Sequence, residues 1–162
     1  MIEKKNEFFY IEYLQLDELN DDDAALLKMA IETTKNAYAP YSKFNVGAAA
    51  KFITGQFITG TNQENASYPV GICAERVLLS AASSIYPGIG IETLAISYNN
   101  IQGESNQPIS PCGICRQTLA EFEIRTQQTI RILLSGMEGK VIEIKSATDL
   151  LPLSFSGTDL LK

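Results

Sequence analysis

Apolar and polar residues alternate along the chain in two rhythms, and the change from one to the other marks most of its elements. Residues 21–38, "DDDAALLKMAIETTKNAY", open on three aspartates and carry Ala25, Leu26, Met29, Ala30 and Thr33 at helical spacing. Acidic residues suit the positive end of a helix dipole, so this stretch predicts a first helix. "APYSKF" interrupts it, and "NVGAAAKFITGQFITGTNQEN" predicts two short strands joined around Thr54–Gln56 in a hairpin. After the turn "NASYPVG", residues 72–86 are rich in Ala, Leu and Ser and predict a helix ending before Pro87 and Gly88. "ETLAISY" at 92–98 predicts a strand and "NNIQGESNQPIS" a polar loop. "CGICRQTLAEFE" predicts another helix, with Ile114, Leu119 and Phe122 as core positions. "TIRILLSG" and "KVIEIKS" predict two further strands, and "ATDLLPLSF" a short closing segment.

Helices alternating with strands after an opening hairpin predict a layered α/β fold around a mixed sheet, in the order α-β-β-α-β-α-β-β. Residues 1–20 alternate loosely, with Phe9, Ile11, Tyr13, Leu14 and Leu16 apolar. They are expected either to add an edge strand or to pack on a neighbouring subunit. The chain thus divides into an N-terminal arm, 1–20, and a single domain, 21–162. It contains no internal repeat, no phosphate-binding loop of the Walker type and no GxSxG elbow.

Charge and composition narrow the function. A net charge of −6 and a pI near 4.7, with no Lys/Arg cluster, make a nucleic-acid partner unfavourable. No apolar run reaches the length of about 20 residues a membrane helix needs, and the N-terminus lacks a signal-peptide pattern, so the expected location is the cytoplasm. Histidine is absent, which removes Ser-His and Cys-His pairs and the commonest metal ligand. Acid–base work near neutral pH falls to a tuned carboxylate, Lys, Tyr, a thiol or a metal-activated water. The three cysteines, Cys73, Cys112 and Cys115, cannot all pair within one chain, and a reduced role fits better than a disulfide framework.

Cys73 falls in the first turn of one predicted helix, and Cys112 and Cys115 in the first turn of another. Helix N-termini offer free N–H groups and partial positive charge, which stabilise thiolate sulfur. Three thiolates so placed suit a soft divalent ion, and zinc is the natural occupant. With three cysteines and no histidine, the fourth position is left to water unless a carboxylate closes it. The open arrangement is catalytic and the closed one structural. Glu75 would then serve as the proton carrier between a zinc-activated water and a leaving group, or would merely favour its helix dipole. Arg76 would offset the net charge of about −1 that three thiolates leave on one Zn²⁺, or would face solvent. A thioredoxin-like reading of "PCGIC" gives no role to Cys73, Glu75 and Arg76.

"CAER" at 73–76 with "PCGICRQ" at 111–117 resembles the zinc-dependent nucleoside deaminases, in the three-cysteine form of the small homotetrameric cytidine deaminases. "AYAPYSKFNVGAA" (37–49), "GTNQENASY" (60–68) and "LLPLSF" (150–155) are similar to the family in the same order, so the resemblance spans roughly residues 21–156. It implies a three-layer α/β/α domain with a mixed five-stranded sheet, one zinc per chain and hydrolytic deamination of cytidine and 2′-deoxycytidine in pyrimidine salvage. A modified cytosine nucleoside is the alternative substrate, and a non-enzymatic structural-zinc protein a more distant reading. The resemblance makes Cys73, Cys112 and Cys115 the zinc ligands and Glu75 the proton shuttle. It sets Phe44 against the pyrimidine and Asn62 and Glu64 on the ribose hydroxyls. Ala66, Tyr68 and Phe155 would complete a neighbouring subunit's pocket in a homotetramer. Pro69 and Gly71 depart from the family's usual residues just before Cys73, and Ser156 departs in the tail.

Overall fold

Residues 1–161 are described by the computed structural model, in which six strands make one sheet. These are Ile11–Tyr13 (β1), Phe44–Phe52 (β2), Phe57–Thr61 (β3), Ile91–Asn100 (β4), Arg131–Ser135 (β5) and Val141–Ile144 (β6). Three α-helices, Asp21–Thr33 (α1), Ala74–Ile85 (α2) and Gly113–Thr126 (α3), complete the main elements. The strand order is β1-β6-β5-β4-β2-β3, with β4 and β5 parallel and the other pairs antiparallel. The expected element order is therefore present, and the arm adds the sixth strand by pairing Ile11–Tyr13 with β6.

Alternation along each strand separates two cores. Ala48, Ala50 and Phe52 of β2, Leu94 and Ile96 of β4, and Ile132 and Leu134 of β5 pack with Leu78, Leu79, Ala82, Leu119 and Phe122 of α2 and α3. The intervening Ala49, Ala95 and Leu133 pack with Leu26, Leu27 and Ala30 of α1. Helices on both faces give the three layers. Small residues under α1 let it sit close: a methyl group on Gly47 would fall 2.2 Å from the Ala30 carbonyl oxygen. Gly60 of β3 plays the same part under α2, where a methyl would lie 2.6 Å from both the Ala74 carbonyl oxygen and the Leu78 nitrogen.

One residue of the helical pattern, Ala25, and one expected core position, Ile114, do not face inward. Ala25 is exposed because α1 turns Asp23, Leu26, Leu27, Ala30 and Thr33 inward. The stripe includes a carboxylate that an apolar pattern passes over. Ile114 is 64% exposed. The inward side of α3 runs through Cys115, Leu119, Phe122 and Glu123, and a single residue step turns the helix by about 100° away from Cys115.

Asp23 is inward for a reason. Its carboxylate receives both terminal nitrogens of Arg131, one at 2.8 Å, together with the Asn20 side-chain amide at 2.7 Å. Arg131 also reaches Thr93 and Glu143, and Glu143 accepts from the Tyr13 hydroxyl at 2.7 Å. This chain of contacts joins the arm to β6, β5 and α1. Burial alone would raise the Asp23 pKa, but the hydrogen bond and charge of Arg131 outweigh it and hold the carboxyl below its usual 3.8. A depressed carboxylate stabilises the fold above its unfolded pKa and loses that contribution as pH falls. Asp23→Asn should cost about 1–3 kcal/mol at pH 7. Urea titrations should also show the variant losing less further stability than the parent as pH drops below about 4; parallel pH profiles would contradict the role given to this pair.

Candidate metal centre and active site

The strand registers explain why distant residues meet. Gly47 pairs with Thr61 and Phe44 with Asn100, so the C-terminal ends of β3 and β4 both lie beside the start of β2. From those ends the chain leads into α2 and α3, whose N-termini therefore converge. Cys73 is the N-cap of α2 and Cys112 the N-cap of α3, both with extended backbone, while Cys115 is buried in the first turn of α3. Sequence reading places Cys73 and Cys112 in the first turns of the same helices, which it starts two residues early for α2 and one early for α3.

The three sulfurs all lie within 4.8 Å of one another, with Cys73–Cys112 at 3.8 Å and Cys112–Cys115 at 3.4 Å. Zn–S bonds of about 2.3 Å in a tetrahedral shell put sulfurs about 3.8 Å apart, so the donor set fits zinc. Its electrostatics point the same way. A hydrogen bond from Cys115 is the largest influence on Cys73 and helps bring its thiol down to about 6, whereas that same contact, followed by burial, pushes Cys115 up. A divalent ion held by the three sulfurs favours the thiolate form of each.

Glu75 is 5% exposed, on the inward side of α2. Burial raises its pKa, opposed by its own backbone N–H and by the Cys115 thiol. Its carboxylate adjoins the sulfur cluster but is not among the atoms that form it. Among the described residues no carboxylate joins the three sulfurs, which leaves the donor set at three. Arg76 acts on the cluster through its charge, which lowers the Cys73 pKa.

The remaining expected residues fall into two groups. Gln63 exchanges backbone hydrogen bonds with Ile72, the residue before Cys73, in an antiparallel bridge that sets Asn62 on the side of Cys73 and Glu64 on the side of Gly71. Asn62 accepts from the Val46 amide at 2.8 Å and donates to the Phe44 carbonyl at 2.9 Å, which leaves its oxygen one free lone pair. Glu64 accepts from the amides of Tyr41 and Ser42, and hydrogen bonding, foremost from Ser42, keeps its carboxyl below the usual range. Phe44 stacks on Tyr98 with ring centroids 4.7 Å apart. In contrast, Ala66 and Tyr68 are exposed on the loop before α2, and Phe155 is exposed in the C-terminal segment. Sequence reading missed Gln63 and Tyr98. The first carries only a backbone signal, and the second sits in a strand whose alternation makes it look like ordinary core.

Three helices on a mixed sheet of the α/β/α class bring three thiols and a buried glutamate together where two helices begin, a donor set that suits zinc with a carboxyl beside it. The family described as the cytidine and deoxycytidylate deaminase zinc-binding region matches residues 20–130. A cytidine deaminase of Halalkalibacterium halodurans is 37% identical over 86% of this chain and 98% of its own length. One from Sporosarcina psychrophila is 36% identical over 86% and 95%. The crystal structure of a cytidine deaminase from Burkholderia pseudomallei superposes with a TM-score of 0.71 at 38% identity, covering 85% of this chain and all of that one. The chain belongs to the cytidine and deoxycytidylate deaminase family, and it is a zinc-dependent hydrolytic deaminase. That membership sets aside the thioredoxin-like reading of Cys112 and Cys115.

Because Cys115 is both buried and shared with the other two sulfurs, Cys115→Ser should lower bound zinc from about one per chain to well below half, measured by metal analysis after dialysis, and should lower the Tm. Glu75→Gln should keep its zinc. Equal zinc loss in both variants would show that Glu75 is a ligand.

Proposed function

We propose that this protein deaminates cytidine and 2′-deoxycytidine, releasing ammonia and forming uridine and 2′-deoxyuridine, as a step of pyrimidine salvage in the cytoplasm. The observation that carries this reading is a three-sulfur cluster with no carboxylate in it and a buried glutamate beside it. Its support from relatives is that proteins named cytidine deaminase align over most of the chain.

In this reading Cys73, Cys112 and Cys115 hold one zinc per chain. Zinc, when bound, supplies the Lewis acidity that lets a water ionise near neutral pH. Glu75 takes the proton that water gives up and passes it to N3 of the cytosine ring as oxygen adds at C4; it then takes the remaining proton from the C4 hydroxyl and gives it to the amine as the C4–N bond breaks, so that ammonia leaves and C4 becomes a carbonyl. Phe44 lies against the ring, braced by Tyr98. Glu64 and the free lone pair of Asn62 accept the ribose hydroxyls. Arg76 offsets the negative charge of the thiolates.

Residues 21–162 form the catalytic domain and 1–20 an accessory arm. The exposure of Ala66, Tyr68 and Phe155 is consistent with a homotetramer in which each completes a neighbour's pocket, since a large exposed aromatic in a pocket-forming role needs a second surface. The net charge of −6 favours a free nucleoside over a polynucleotide substrate.

Ultraviolet absorbance of cytidine mixed with the zinc-loaded protein should fall. Glu75→Gln should keep its zinc while kcat drops by at least about 10²- to 10⁴-fold, the usual range for loss of a general acid–base; an active variant would sink the assignment. Sedimentation should find a tetramer, and specific activity should decline on dilution below its dissociation range. A fully active monomer would remove the shared pocket.

A further inference from the structure

α3 carries two of the three cysteines, and it also holds the last part of the chain. Glu123, 9% exposed, accepts from the Ala147 amide at 2.8 Å and the Ser146 hydroxyl at 2.6 Å. Arg116, directly after Cys115, donates through Nε to the Pro111 carbonyl at 2.9 Å and through Nη1 to the Leu150 carbonyl at 3.3 Å. Gln117 donates through Nε2 to the Phe155 carbonyl at 2.9 Å. The helix thus grips the segment from 146 to 155 at three heights, and the last grip is on the backbone of Phe155. Its ring remains 60% exposed. A pinned carbonyl with an open ring is an arrangement that presents a side chain.

We propose that Arg116 and Gln117 are positioning residues for the deamination reaction, which hold Phe155 in place for the shared pocket by tying the tail to the helix that bears Cys112 and Cys115. Arg116 makes the coupling rigid. One guanidinium bridges the carbonyl before Cys112 and the carbonyl of Leu150, so the loop entering α3 and the tail share a partner. Gln117 sets the final residue. The inference rests on the reading that Phe155 meets substrate in a shared pocket.

Neither residue touches the substrate in this account, so the effect should fall on KM and vanish when the Phe155 ring is absent. A double-mutant cycle reads that directly. Gln117→Ala and Phe155→Ala should each keep about one zinc per chain. Each should raise KM for cytidine, Gln117→Ala by about 3- to 10-fold, the effect of one lost hydrogen bond, with kcat changed by less than about threefold. The double variant should have the KM of Phe155→Ala alone, because the Gln117 bond goes to a backbone carbonyl and acts only through the ring that carbonyl carries. Gln117→Lys, which keeps a donor, should recover part of the loss. Arg116→Lys should raise KM in the same way, and if it folds poorly the Gln117 cycle still decides.

Multiplicative KM effects in the double variant, or unchanged KM in Gln117→Ala, would overturn the inference while leaving the deaminase reading intact. An unchanged KM in Phe155→Ala would overturn it as well, by removing the ring from the pocket. Absence of turnover in the zinc-loaded parent is a different failure, since it removes the proposed reaction and the inference with it.

Discussion

The centre depends on two helices beginning at the same end of one sheet, close enough for their first residues to share an ion. Two features produce this. Antiparallel pairing of β2 with both β3 and β4 brings the exits of those strands together. Gly60 then lets α2 lie almost on the backbone of β3, since a methyl there would meet Ala74 and Leu78 at 2.6 Å. Residue 74 adjoins Cys73, so any side chain at 60 that lifted the helix would move a sulfur. A change of that size in a packed core costs about 1–3 kcal/mol. It would also disturb a sulfur cluster whose spacing leaves little latitude.

Much of this is legible in the sequence because it is local. The hairpin, the three helices and the strands after them each carry their own rhythm, and the spacing of Cys112 and Cys115 brings two sulfurs to one helix end. What is not legible is tertiary. Asp23 sits on the inner side of α1 because of an arginine more than a hundred residues later, and no periodicity reveals that pairing. Ile114 looks like core in a helical count, yet the buried side of α3 is set by Cys115 and Glu123, a thiol and a carboxylate that apolar patterns leave out. The arm illustrates the same limit. Its weak alternation does not reveal that β6 offers a free edge or that Tyr13 reaches Glu143, the two contacts that make it an edge strand.

The buried acids show how the molecule separates stability from chemistry. Asp23, Glu75, Glu123 and Glu143 are all under 10% exposed. Asp23 and Glu143 share Arg131, and Glu123 is surrounded by amide and hydroxyl donors from Ile130, just before β5, and from the segment after β6. Each of these three joins separate elements, which is what a buried carboxylate does when it serves the fold.

Glu75 is held differently. Its partners are its own backbone amide and the thiol of Cys115, and among the described residues it enters no ion pair. It ties no remote element to another, so its removal should leave the layers in place, while its burial keeps water from solvating it. In the proposed reaction this is the carboxyl that exchanges a proton with what occupies the space beside the sulfurs. Glu75 lies two residues from Cys73, so the helix that presents the sulfur also fixes the distance to the acid.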